Sequence, residues 1–183
     1  MTLGPLTQAP ELVISAWYNS KKPIALEQLR GKVVAIYCFQ MLCPGCVSHS
    51  LPQAKKLHQY FSHEDVSILG LHTVFEHHQV MNNQALEAFI GEYRLSFPIA
   101  VDKPAVKNPI PETMQRYQLE GTPSLLLIDR YGYLRVKAFG AISDLQVGHW
   151  LGSLLSFNPD AFQESSMDNA IGSCNDDGCS IGQ

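Results

Sequence analysis

No stretch of this sequence is apolar for long enough to cross a bilayer, and its first residues lack the basic segment and apolar run of a secretion signal. It also lacks any run rich in lysine or arginine, and its net charge is −4. These absences argue against membrane and nucleic-acid partners. We therefore expect a soluble protein that is, by default, cytoplasmic. Its 183 residues, 45% of them hydrophobic, suffice for one globular domain with its own core.

The number of cysteines in this chain is odd. The five residues are Cys38, Cys43, Cys46, Cys174 and Cys179. An odd number argues against a secreted scaffold in which every cysteine is paired. In a reducing compartment, cysteines that occur as spaced pairs are more often catalytic or metal-binding than structural.

One such pair, Cys43 and Cys46, stands where an apolar run over residues 33–39 gives way to a helical pattern. The two residues between them let both sulfurs meet in a tight loop at the first turn of a helix. Free backbone N–H groups at a helix start stabilise a thiolate, so Cys43 is a candidate nucleophile near neutral pH. Cys46 can then attack a mixed disulfide formed on Cys43. Half of a zinc site is the alternative, but zinc prefers four ligands, and the pair Cys174/Cys179 is remote.

The hydrophobic pattern alternates between strand-like and helix-like segments. It predicts strands at residues 12–17, 24–26, 33–39, 66–74, 97–101, 124–129 and 134–139, and helices after Cys43 and at 82–95, 112–117 and 143–157. This order indicates an α/β fold, with a central mixed β-sheet flanked by helices on both faces. Pro52 lies inside the first helix and should kink it. The composition becomes polar after residue 157, so we expect a domain over residues 1–157 and a flexible, cysteine-containing tail over residues 158–183.

Residues 10–157 resemble the thioredoxin superfamily in three features. They are a strand followed by Cys43-Pro44-Gly45-Cys46 and a helix, the sequence Gly121-Thr122-Pro123-Ser124 before a buried strand, and a closing hairpin and helix. The resemblance implies a thioredoxin-like fold in which Thr122 and a cis Pro123 pack against the cysteine loop and shape a substrate groove. The lead-in over residues 29–34 and the segment between the strands at 66–74 and 97–101 are similar to the TlpA-like and AhpC/TSA (peroxiredoxin-like) branch.

Two positions depart from the pattern of that superfamily. Thioredoxins carry an acid six residues before the first cysteine, where this chain has Tyr37. Some TlpA-like proteins carry an acid three residues after the second cysteine, where this chain has His49. Because an imidazole titrates near neutral pH, His49 is a candidate proton donor and acceptor near Cys46. The alternative is a partly exposed helix histidine without a role.

Three further groups of residues stand outside these motifs: Cys38, the histidines near residue 72, and the two cysteines near residue 174. Cys38, inside the buried strand, is expected to behave as a small hydrophobe. The cluster of His72, His77 and His78 beside Glu76 could bind copper or zinc, although loop histidines are more often solvated. We assign no metal ligand and expect no cofactor.

Cys174 and Cys179, in the expected tail, have four residues between them. They are either incidental thiols or a second dithiol that exchanges with Cys43 and Cys46. Asp176 and Asp177 between them should disfavour their thiolates and make them weaker nucleophiles than Cys43.

The sequence favours a thiol-disulfide oxidoreductase that acts on protein or small disulfides and exchanges electrons with an external reductant or oxidant. A peroxiredoxin-like peroxidase is one alternative. Gln40 weakens it, because that position, three residues before Cys43, carries Thr or Ser in peroxiredoxins. A non-catalytic metal-binding or docking module is the other alternative.

Overall fold

The computed structural model describes residues 7–157, where seven strands and four α-helices follow one another along the chain. The strands are β1 (Thr7–Gln8), β2 (Ile14–Tyr18), β3 (Val33–Phe39), β4 (Val66–His72), β5 (Ile99–Asp102), β6 (Ser124–Ile128) and β7 (Tyr133–Phe139). The helices are α1 (Leu51–Tyr60), α2 (Asn83–Glu92), α3 (Glu112–Arg116) and α4 (Asp144–Ser156). None of the helices within residues 7–157 is long and apolar enough to span a bilayer.

All seven strands form one sheet, in the order β1-β7-β6-β3-β4-β5-β2. β3, β4 and β5 are parallel, and every other neighbouring pair is antiparallel. β3 lies in the middle of this mixed sheet, and each of its seven residues is buried. A strand that is paired on both edges and covered on both faces requires a continuous apolar sequence, which residues 33–39 supply.

Helices cover both faces of the sheet, as the α/β prediction requires. On one face, Phe39 packs in a core that includes buried residues of α1, α2 and α4. On the other face, Ile36 packs in a core that includes Leu26 and Tyr117. A fully buried side chain of this size contributes roughly 1.5–3 kcal/mol to folding. β3 is therefore held firmly from both sides, and so is the segment that leaves its carboxyl end.

The predicted strand at residues 24–26 is wrong. Leu26–Leu29 forms a 3₁₀ turn instead, with Leu26 buried. The carboxylate of Glu11 accepts hydrogen bonds from the backbone N–H groups of Leu26 and Glu27, both at 2.9 Å. The turn is stabilised because those two N–H groups, at its start, have no partner inside it.

Pro52 disturbs the helix that follows Cys43, as its sequence position predicts. The helix begins at Pro44, widens into a π-helical turn over Cys46–Ser50, and continues as α1. Proline has no N–H to donate to the carbonyl four residues earlier, and its ring displaces that carbonyl. Cys46 is therefore the first residue of this irregular turn.

Side chains cap two of the helices where the sequence places a capping residue. The hydroxyl of Ser143 accepts the backbone N–H of Gln146 at 3.3 Å, which confirms Ser143 as the N-cap of α4. The side chain of Asn82 accepts the N–H of Ala85 at 3.0 Å at the start of α2. Such caps typically stabilise a helix by about 1 kcal/mol.

Candidate active site

The sheet register brings the two predicted parts of the site together. Cys38, near the carboxyl end of β3, pairs with Ser124, the first residue of β6. Because these strands are antiparallel, the residues that follow Cys38 and those that precede Ser124 continue toward the same edge of the sheet. Cys43 and Thr122 therefore meet at this edge, where the thiol of Cys43 lies 3.5 Å from the carbonyl oxygen of Thr122.

Cys43 and Cys46 differ in their exposure to solvent. Cys43 is partly exposed, whereas Cys46 is fully buried, and both thiols are free. The backbone N–H of Cys46 points at the sulfur of Cys43 at 3.3 Å, and a second bond joins it to the Cys43 carbonyl at 3.1 Å. A backbone N–H directed at the Cys43 sulfur stabilises the negative charge that a thiolate would carry there.

The buried position of Cys46 has the opposite effect on its own thiol. Burial, with a smaller contribution from the Cys43 side chain, raises the pKa of Cys46 to about 12. Hydrogen bonds from the Gln40 backbone and the Thr122 side chain pull that pKa downward, but they do not offset the burial. The geometry therefore makes Cys43 the accessible sulfur and keeps Cys46 protonated until it reacts.

Pro123 packs against the cysteine loop through Gly45. The Thr122–Pro123 peptide bond is cis, as the resemblance to thioredoxins implies. A Cβ added to Gly45 would lie 3.3 Å from Cδ and 3.6 Å from Cγ of Pro123. Glycine at this position therefore allows the proline ring to sit close to the backbone between the two cysteines.

Tyr37 occupies the position of the acid in thioredoxins, and it is hydrogen-bonded rather than isolated. Its hydroxyl donates to the side-chain oxygen of Gln53 at 3.0 Å. The amide of Gln53 donates to Asp144 at 2.7 Å and to the carbonyl of Ile142 at 2.9 Å. Burial, reinforced by the charge of Asp144, raises the pKa of Tyr37, so its hydroxyl is a neutral donor at pH 7.

His49 contacts the segment before α4. Its Nε2 lies 2.8 Å from the carbonyl oxygen of Ile142, which can only accept, so this nitrogen carries the proton. His49 is not among the groups that shift the pKa of Cys46. Its role as a proton donor or acceptor stays a prediction, because the contact that the structure shows for its ring is with the Ile142 carbonyl.

Cys38 is fully buried on the face of the sheet opposite to Cys46. Burial raises the pKa of its thiol strongly, with a further contribution from the charge of Asp102. A buried thiol of this kind behaves as a small hydrophobe, which agrees with the interpretation of Cys38 from the sequence.

Comparisons with known proteins place the chain in a family. The model of the AhpC/TSA family matches residues 5–137, which is well over half of the chain. The chain belongs to the AhpC/TSA family. Two solved structures support a thioredoxin-like fold for this family member. A protein described as belonging to the thioredoxin-like superfamily is 50% identical, with a TM-score of 0.81, and the match covers 82% of this chain and 97% of that one.

The second structure is a thiol-disulfide isomerase from Corynebacterium glutamicum. It is 49% identical, with a TM-score of 0.79, and the match covers 84% of this chain and 97% of that one. Among curated proteins, the thiol-disulfide oxidoreductase ResA of Halalkalibacterium halodurans is 25% identical over 130 residues. That match covers 70% of this chain and 65% of the relative, just under two thirds of its length.

The histidines of the predicted cluster differ in burial, although His72 and His78 line the same pocket. His72 is buried, whereas His77, His78 and Glu76 are exposed. Within residues 7–157, no group of three or more His, Cys, Asp or Glu side chains is placed to hold a metal ion.

Cys174 and Cys179 lie outside the described residues, and so does the predicted tail over residues 158–183. Their pairing and their exchange with the cysteine loop stay predictions, as does the domain boundary after residue 157.

Two glutamines of the site were missed by reasoning from the sequence. Gln40 is buried, and its carbonyl accepts the N–H of Cys43 at 3.3 Å. Its side chain accepts the N–H of Phe75 at 3.3 Å and lies 3.4 Å from Glu76, so it connects the cysteine loop to the segment after β4. Gln53 lies seven positions after Cys46, on the apolar face of the helix. A polar residue among apolar ones on that face was the feature of the sequence that could have identified it as part of the site.

Proposed function

We propose that this AhpC/TSA protein is a thiol-disulfide oxidoreductase whose redox couple is Cys43 and Cys46, acting on protein or small disulfides. The observation that carries the proposal is the unequal pair of thiols. Cys43 is accessible and receives a backbone N–H on its sulfur, whereas Cys46 is buried beside it. The names of the relatives support the same class of reaction.

The reaction proceeds in two exchanges. The Cys43 thiolate attacks one sulfur of the substrate disulfide, which forms a mixed disulfide and releases the other substrate sulfur as a thiolate. Cys46 then loses its proton to that thiolate and attacks the sulfur of Cys43. The second substrate thiolate leaves, and the Cys43–Cys46 disulfide forms. Two electrons have passed to the substrate, and an external dithiol must return them.

Thr122 and Pro123 are proposed to hold the substrate during these exchanges. The Thr122 carbonyl lies 3.5 Å from the Cys43 sulfur, so a peptide joined to Cys43 is brought alongside the Thr122 backbone. The Thr122 hydroxyl also favours the thiolate form of Cys46, which assists the second exchange. Run in reverse, with an external oxidant, the same groups would form a disulfide in the substrate.

The experiment compares insulin reduction with hydrogen-peroxide consumption for the full chain. We expect insulin reduction in the presence of dithiothreitol, and its loss in the Cys43→Ser variant. Cys38→Ala is the matched control, because it removes a buried thiol outside the site and should keep the activity. Peroxide consumption without insulin reduction would favour a peroxidase and contradict the proposal. Loss of insulin reduction in the Cys38→Ala control would point to unfolding of that variant.

A further inference from the structure

His72, the last residue of β4, is a buried polar side chain that the proposed reaction does not use. Its side chain is 1% exposed, and neither ring nitrogen has a hydrogen-bond partner among the described residues. Its ring packs against Phe39, with 5.3 Å between the ring centroids. Buried ring nitrogens are rarely left without a partner, because the loss of their hydrogen bonds to water costs free energy.

His72 lines a pocket of about 420 Å³. The pocket lies over the carboxyl ends of β4 and β5, between these strands and the start of α2, and none of its lining residues belongs to the cysteine site. In open α/β sheets, ligands bind preferentially in crevices outside the carboxyl ends of strands. The volume lies within the range of small-molecule sites.

The surface of the pocket is mainly apolar, and its polar lining residues are His72, His78, Asn82, Asn83 and Asp102. Val74, Met81, Val101, Pro104 and Pro111 provide the apolar part. Burial lowers the pKa of His72 to about 4, so at neutral pH its imidazole is uncharged and offers one donor and one acceptor. The buried imidazole of His72 would therefore meet a ligand as a neutral polar group, whereas the polar side chains of His78, Asn82 and Asn83 in the lining are exposed.

The acid that lines the pocket, Asp102, is already engaged by the protein. Its carboxylate accepts the hydroxyl of Thr73 at 2.9 Å and the backbone N–H groups of Thr113 and Met114 at 2.7 and 2.9 Å. It therefore has little left to bind a cation, and its charge disfavours an anion. The electrostatics favour a ligand without charge.

We propose that this pocket binds a small neutral ligand with an apolar body and a single hydroxyl group, as in a phenol, which hydrogen-bonds to His72. The hydroxyl can donate to one ring nitrogen or accept from the other, and the apolar body fills the space between Val101 and Met81. A free phenol and the side chain of a tyrosine on a partner protein share this chemistry. The site is independent of the cysteine chemistry and stands whether or not the proposed reaction is correct.

The test is an NMR titration of the full-length chain labelled with ¹⁵N at histidine. The probes are p-cresol and toluene, which have nearly the same shape but differ in the hydroxyl group. We expect p-cresol to shift the ring nitrogen signals of His72 and to bind about fivefold more tightly than toluene, the factor that one neutral hydrogen bond supplies. N-acetyltyrosinamide, as a third probe, tests whether the pocket also admits a phenol attached to a peptide backbone.

The matched variants are His72→Phe and His149→Phe. The first keeps an aromatic ring in the pocket wall but removes both nitrogens, so the preference for p-cresol over toluene should disappear. The second changes an exposed histidine on α4 that does not line the pocket, and the preference should remain. Should His72→Phe fail to fold, intermolecular NOEs from p-cresol to the methyl groups of Met81 and Val101 in the unmodified chain decide the question. Equal affinities for the two probes, or shifts confined to other histidines, would overturn the proposal.

Discussion

The unequal thiols lead to a quantitative prediction for Cys46 in the Cys43→Ser variant. Burial, the largest cause of the raised pKa, remains in this variant, so the pKa stays near 12 instead of the ordinary 9.0. At pH 8 the thiolate is then about a thousandfold scarcer, while its intrinsic nucleophilicity rises by roughly twentyfold with the higher pKa. The net result is that native Cys46 should react about 40-fold more slowly than the same cysteine in the unfolded chain. Its complete burial slows the reaction further.

The assay is alkylation by iodoacetamide, followed for each cysteine by peptide mass spectrometry. The reference is the same variant unfolded in urea, which keeps the sequence around Cys46 constant. With rising pH, the rate for native Cys46 should continue to increase beyond pH 9 toward 12, whereas the unfolded reference levels off near 9. Cys38, also fully buried, should react slowly in the native chain and serves as an internal check. Equal native and unfolded rates for Cys46, or a native plateau near pH 9, would refute the reasoning.

Three further changes test other parts of the structure. Gly45→Ala should lower the rate of disulfide reduction roughly threefold to tenfold, because the new Cβ would lie 3.3 Å from Pro123 Cδ and displace the proline or the loop. Gln53→Leu should lower the free energy of unfolding by about 1–3 kcal/mol, measured in urea, because it leaves the buried hydroxyl of Tyr37 without its partner. The free energy of unfolding should also fall by up to about 3 kcal/mol as the pH drops from 6.5 toward 4, because histidine in the unfolded chain binds a proton that folded His72 does not.

Each of these predictions has a control and a contradicting outcome. Gly148→Ala, on the exposed side of α4, adds a Cβ with no heavy atom within 4 Å and should keep the activity. If Gly45→Ala is equally active, Pro123 is not confined by the cysteine loop. Adding Tyr37→Phe to Gln53→Leu should recover part of the lost stability, and a purely additive result would contradict the hydrogen bond. His72→Phe should reduce the loss of stability toward pH 4, and an unchanged pH dependence would reject the assignment to His72.

The sequence predicted the parts of the fold that depend on local patterns. The continuous apolar run of β3 and the capping serine of α4 are both signals within a few residues, and both are confirmed. The prediction of a strand at residues 24–26 was wrong because a short apolar triplet is equally compatible with a strand and with a turn. There the outcome is decided by Glu11, which lies 15 residues from Leu26 in the sequence.

The candidate site likewise contains some residues that local motifs reveal and others that they do not. The cysteine pair and Thr122–Pro123 are recognisable as motifs, and the structure brings them together. The contacts of Gln53 join residues 16 and 91 positions apart, so no local pattern could reveal them. His72 lies near the end of the predicted strand at residues 66–74, close to two other histidines, and its burial was not evident. Its pairing with Phe39 in the sheet buries it, and that strand register could not be predicted from the sequence.

The central claim, that Cys43 attacks the substrate and Cys46 resolves the mixed disulfide, is tested most directly with the Cys46→Ser variant. The reduced variant is mixed with a disulfide-bonded peptide, and the products are located by mass spectrometry without reductant. The account predicts a stable mixed disulfide on Cys43 that carries one peptide sulfur, which the unmodified chain converts rapidly to its Cys43–Cys46 disulfide. Accumulation of the adduct on any other cysteine, or its rapid release from the variant, would contradict the account.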